Sequence, residues 1–166
     1  RHRVAVLEAD HAWCKKVEET LERRLKFEET VTRVSSYFAG FLDMDSAINA
    51  SLVDIGTLSQ ASRAYLFIFR ENGTIMDNTH EWCDEGVSPQ IANLQALPCE
   101  MFPWWMMKLR GGETIHIIDV SVLPEEAKAE KEILEAQGIK SLLVLPLNIG
   151  EELAGFIGFD NVMETG

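Results

Sequence analysis

The run Arg63-Ala64-Tyr65-Leu66-Phe67-Ile68-Phe69 constrains this chain most, because it is apolar on both of the faces that strand alternation creates. Such a strand has no side to turn to water, so it must lie inside a sheet that is covered on both surfaces. Glu71-Asn72-Gly73-Thr74 follows directly, and Asn-Gly favours a tight hairpin turn. A second strand therefore runs back beside the first and ends near Trp82.

Two helices precede this hairpin. Trp13, Val17, Thr20, Arg24, Phe27, Val31, Val34, Phe38 and Phe41 recur alternately four and three apart, which draws a heptad seam along one long helix. Its first half carries polar Thr20 and Arg24 on the seam and should lean on a partner helix. The apolar second half should lean on the domain core. On this reading Trp13, Val17, Thr20, Arg24, Phe27 and Val31 form a dimer-forming, signalling surface. A second helix spans about Asp45 to Ala61, with Ile48, Leu52 and Ile55 on one face.

Beyond the hairpin, Pro103 opens a short helix that ends at Lys108, Arg110 and the Gly111-Gly112 pair. Thr114 to Ile118 reads as a third strand, and Pro124 to Gln137 as a charged helix closed by Gly138. Ser141 to Leu147 and Leu153 to Asp160 make a terminal hairpin, in which Gly155 and Gly158 admit a close neighbour. The order predicts an α+β fold: an antiparallel sheet of about five to six strands flanked by helices, with a long N-terminal connecting helix.

Candidate chemistry gathers between Asn78 and Gly112, which hold three of the four Trp and two of the three Cys. This cluster is either a pocket wall or core. Phe102, Trp105 and Leu109 share the core-facing stripe of the short helix. Trp104 must point elsewhere and is a candidate contact, together with Trp82, Cys83, Cys99 and His80, and with His116 on the next strand. The carboxylates of Asp84 and Glu85 are expected to raise the Cys83 pKa. His80 is expected to pair with a carboxylate. His80, Cys83, Cys99 and His116 lack the close ligand pairs of structural zinc sites, so no metal site is assigned.

Fifteen Lys plus Arg stand against 27 Asp plus Glu, and the net charge of -12 repels nucleic acid and anionic membrane surfaces. No apolar run approaches the length of a membrane span, and three widely spaced cysteines fit a reducing, cytoplasmic setting. The chain opens without a methionine and is read as a piece of a longer polypeptide. It shows no phosphate-binding loop, paired metal-site histidines or nucleophile elbow, so no catalytic residue is assigned.

Ser62-Arg63-Ala64-Tyr65-Leu66-Phe67, Glu81-Trp82-Cys83-Asp84-Glu85-Gly86-Val87, Phe102-Pro103-Trp104-Trp105, Ile117-Ile118-Asp119-Val120 and Gly155-Phe156-Ile157-Gly158-Phe159-Asp160 together resemble the GAF sensory domain of multidomain sensor histidine kinases. The resemblance implies residues 27–166 as the GAF domain, with 1–26 as a connecting helix leaving an upstream PAS domain. It implies a homodimer, neighbouring PAS and kinase domains in the same chain, and a small-molecule ligand in a pocket on one sheet face. The cyclic-nucleotide motif is not recognisable. A bilin is set aside because Cys99 is followed by Glu100 and Cys83 by Asp84. Haem stays open, with Cys83, Cys99, His80 and His116 as contacts. Two functional readings follow: a non-catalytic sensory input domain of a two-component histidine kinase, or a structural dimerisation spacer without ligand.

Overall fold

The computed structural model describes residues 2–40 and 43–163; Phe41, the last expected seam position, lies outside them. In chain order the elements are α1 (His2–Ala39), α2 (Met44–Leu58), β1 (Arg63–Arg70), β2 (Ile75–Cys83), β3 (Leu97–Pro98), α3 (Pro103–Arg110), β4 (Ile115–Ile117), α4 (Lys128–Ala136), β5 (Ser141–Ile149) and β6 (Glu152–Asn161). The six strands form one antiparallel sheet in the order β3-β2-β1-β6-β5-β4. The fold is α+β, and β1 lies inside the sheet with a layer on each face.

On one face, Leu52 of α2 meets Ala61, Ala64 and Phe159, with Trp82 against them. On the other, α3 lays Trp105, Met106 and Leu109 over Tyr65, Phe67, Phe156 and Val144, and Leu134 of α4 joins them. Local chemistry sets the element ends. The Asp43 carboxylate caps α2 by accepting from Ser46 N at 3.0 Å and from Ser46 Oγ at 2.8 Å. The β1–β2 turn runs through Glu71, Asn72 and Gly73 at φ 51°, 56° and 77°, which is why a glycine closes it.

One irregularity sets what β2 presents to each face. A bulge between Leu66 and Phe67 pairs Leu66 with His80 but Phe67 with Asn78, so Thr79 is the extra residue. Beyond the bulge, alternation sends Glu81 and Cys83 to the α3–α4 face and His80 and Trp82 to the α2 face.

Helix α1 is 38 residues long, roughly 57 Å at the usual rise per residue. Only its C-terminal part is docked. Thr30 is buried, and the Asp54 carboxylate of α2 accepts from Arg33 Nε and Tyr37 Oη, each at 2.7 Å. Burial pushes the Asp54 carboxyl up, but the Tyr37 and Arg33 hydrogen bonds outweigh it and hold the group below its ordinary value. The seam itself faces outward. Trp13, Val17, Phe27, Val31 and Phe38 are exposed, as are Leu21 and Leu25, while Val34 is half-buried. The expectation that the apolar second half leans on the core is therefore corrected. The face turned to α2 is that of Thr30, Arg33 and Tyr37, well around the helix from the seam.

Candidate functional site

Between the sheet and the α3–α4 layer lies a small, mostly apolar cavity of about 50 Å³. Tyr65, Phe67 and Phe156 supply its floor, Phe102 and Trp105 one wall, and Ile133, Leu134 and Ile139 another. Leu94 and Leu97, from the segment between β2 and α3, line the remaining side. The Phe67 and Phe156 rings stack with centroids 4.7 Å apart, and Trp105 meets Phe156 edge-on at 5.7 Å. Gly158 makes room for this floor, since a Cβ there would stand 2.1 Å from Cε2 of Tyr65.

One end of the cavity is polar. Arg63 opens β1 and Asp160 lies opposite it on β6, and both point inward because they alternate in phase with Tyr65 and Phe67, and with Gly158 and Phe156. Arg63 Nε donates to Asp160 Oδ1 at 3.0 Å, while its Nη1 and Nη2 reach the carbonyls of Ser88 and Gln137 at 3.4 and 3.5 Å. Burial pushes the Asp160 carboxyl up to about 6, with Arg63 pulling it back down. Burial also drives the Tyr65 hydroxyl well above its ordinary value, which keeps it protonated. The Glu81 carboxylate accepts from the backbone N–H groups of Gln90 and Ile91 at 2.9 and 3.2 Å, pinning the segment that covers the cavity. Glu130 of α4 is 1% exposed, and its Oε1 accepts from Trp105 N at 3.0 Å.

None of the six side chains expected as contacts lines this cavity. His80 and Trp82 lie on the other sheet face: His80 bridges to Asp45 Oδ1 at 3.0 Å, and Trp82 covers Gly56, where a Cβ would come within 2.5 Å of its ring. His116 is exposed on β4, out of phase with buried Ile115 and Ile117. Cys99 is buried in the core below α3. Trp104 is half-buried against the edge of the core, with Lys108 Nζ 5.6 Å from its ring centre. Cys83 shares the cavity's sheet face, paired across from Arg63 at the strand end. Its thiol is pushed up to about 11, by burial first and then by Glu81. The expected direction is met, but the carboxylate responsible is Glu81 and not Asp84 or Glu85. Among the described residues no group of three or more His, Cys, Asp or Glu is placed to hold a metal ion.

The residues that do line the polar end were missed. Glu130 sits in a helix that reads as charged surface, yet it is in phase with buried Ala127 and Leu134. Arg63 and Asp160 carried their own signal, as charges on the inward phase of otherwise apolar strands.

Residues 43–165 match the family model of the GAF domain. The chain belongs to the GAF domain family. It is 36% identical, over 72% of its length, to the methanogenesis regulatory histidine kinase FilI of Methanothrix harundinacea. It spans 14% of that relative's length. Among solved structures it is similar to the phycoerythrobilin-bound GAF domain of a cyanobacterial phytochrome, with TM-score 0.72 and 18% identity over 86% of this chain and 85% of that one. The phycocyanobilin-bound GAF domain of a cyanobacterial phytochrome gives TM-score 0.70 and 20% identity, over 84% and 81%. A far-red-absorbing dark state with bound biliverdin gives 0.69 and 15%, over 82% and 85%. At these identities the likeness is one of fold.

The cofactor expectations are corrected here. Bilin was set aside on the residue that follows each cysteine, but GAF domains of this same fold hold bilins. A single neighbouring residue bears on covalent attachment at that cysteine and says little about what the cavity accepts. Haem finds no support: Cys83, Cys99, His80 and His116 are split between two sheet faces and the core, and none of them lines the cavity. No helix among the described residues is long and apolar enough to cross a membrane.

Proposed function

We propose that this GAF domain is a non-catalytic sensory input module that binds a small molecule between its sheet and α3–α4, and passes the signal through a paired α1 to a histidine-kinase output. The observation that carries this reading is the cavity itself, apolar over most of its wall and closed at one end by the buried Arg63–Asp160 pair. A spacer would have no use for buried charges at the edge of an open volume, since burying them costs more than apolar packing would. The exposed apolar stripe on α1 supports pairing with a second copy, with residues 1–26 as the connecting helix and Trp13, Val17, Thr20, Arg24, Phe27 and Val31 at the contact. The kinase relative supports a two-component output, and the bilin-holding neighbours bring linear tetrapyrroles among the ligands to be tried.

The test measures thermal melting and sedimentation of the chain against a metabolite panel that includes biliverdin. A true ligand present at a hundred times its Kd stabilises the fold by about 2.7 kcal/mol. Ile133→Trp, which fills the cavity, should abolish the effect. If nothing binds saturably and the chain still dimerises, the domain is a spacer.

A further inference from the structure

Among the described residues two buried side-chain polar atoms have no hydrogen-bond partner, Glu130 Oε2 and Trp105 Nε1. Buried polar groups are otherwise satisfied almost without exception, so a pair of orphans calls for an explanation. They are not scattered. Both residues line the cavity, and they are joined to one another through Trp105 N and Glu130 Oε1 at 3.0 Å. One orphan is an acceptor and the other a donor.

The neighbouring charged groups are already engaged. Asp160 holds Arg63 Nε, and Glu81 holds the Gln90 and Ile91 amides. Among the described residues, Glu130 Oε2 is the one fully buried carboxylate oxygen of the lining that has nothing to accept. With three carboxyl groups and one guanidinium around it, the cavity disfavours a further negative charge.

We infer that the cavity is built for an uncharged small molecule with a compact apolar body and one head group that both donates and accepts a hydrogen bond, such as a primary amide or a hydroxyl. Its N–H or O–H donates to Glu130 Oε2, and its oxygen accepts from Trp105 Nε1. Phe67 and Phe156 carry the body. This rests on the proposed ligand-binding role of the same cavity and names the chemistry that role requires.

Three one-ring probes separate the possibilities: benzamide, which donates and accepts; benzoate, which accepts and is anionic; and toluene, which does neither. Titration of each into the chain, followed by saturation-transfer NMR, should show benzamide binding about tenfold more tightly than the other two, the scale of one net hydrogen bond. Glu130→Gln keeps an oxygen for Trp105 N and puts an N–H where Oε2 stands. It should remove the benzamide advantage and narrow the handicap of benzoate. Trp105→Phe deletes the indole N–H and should weaken benzamide with little effect on toluene, which gives a second reading if Glu130→Gln does not fold.

Toluene binding as tightly as benzamide would overturn the inference and leave the cavity as a ligand site. So would a preference for benzoate, or a benzamide preference that survives both substitutions. Failure of all three probes to bind would overturn it together with the reading of the cavity as a ligand site.

Discussion

Arg63 and Asp160, at the first residue of β1 and near the end of β6, form an ion pair 3.0 Å long whose side chains are 3% and 2% exposed. Burial raises the Asp160 pKa from 3.8 to about 6, against the pull of Arg63. A carboxyl whose folded-state pKa is raised binds its proton more tightly in the folded than in the unfolded chain, so its contribution to stability falls as pH rises from about 4 to about 6. The stability lost to Asp160 by pH 7 is at most about 3 kcal/mol. Asp160→Asn leaves Arg63 without its charge partner at every pH but lacks this titration. The destabilisation it causes, measured by urea unfolding, should therefore be larger at pH 4 than at pH 7; a pH-independent difference would contradict the raised pKa.

Gly158 carries the Tyr65 ring over bare backbone, and a Cβ there would stand 2.1 Å from it. Gly158→Ala should cost about 1 to 3 kcal/mol by overpacking. Ligand binding should suffer with it, because Tyr65 is part of the cavity floor. Urea midpoints compared at an unchanged m-value check the first effect, and benzamide titration the second.

The three thiols should separate by reactivity. Cys14 is exposed on α1, Cys83 is pushed up to about 11, and burial raises Cys99. At pH 7 only about one Cys83 in ten thousand is thiolate. A chromogenic disulfide reagent should therefore titrate one thiol quickly in the native chain and all three in denaturant. Fast modification of a second thiol, mapped to Cys83 by mass spectrometry, would contradict this placement.

Dimerisation through α1 should fail when its stripe is charged. Val17→Glu combined with Val31→Glu places carboxylates on two exposed seam positions. Sedimentation equilibrium should show the weight fall to one copy, while the melting of the sheet stays within about 0.5 kcal/mol of the parent, as for substitutions away from packed sites. An unchanged weight would remove the seam from the contact.

The five longer strands, the helices, the Asn72-Gly73 turn, α3 from Pro103 to Arg110 and the GAF resemblance were legible from residue order, because each depends on neighbours within a few positions, whereas the two-residue β3 exists only through its pairing with β2. The faces of those elements were not. One extra residue at Thr79 decides that Trp82 and His80 look toward α2 while Glu81 and Cys83 look toward the cavity, and bulges leave no mark in composition. Likewise Arg63 meets Asp160 across 97 residues of chain, and Glu130 reaches Trp105 N across 25. The sequence by itself determined an α+β sheet covered on both sides behind a long amphipathic helix, since periodicity and turn chemistry act locally. Only the tertiary structure decided which side chains share the cavity and which polar atoms are left unpaired in it, because register and layer packing join residues that are far apart along the chain.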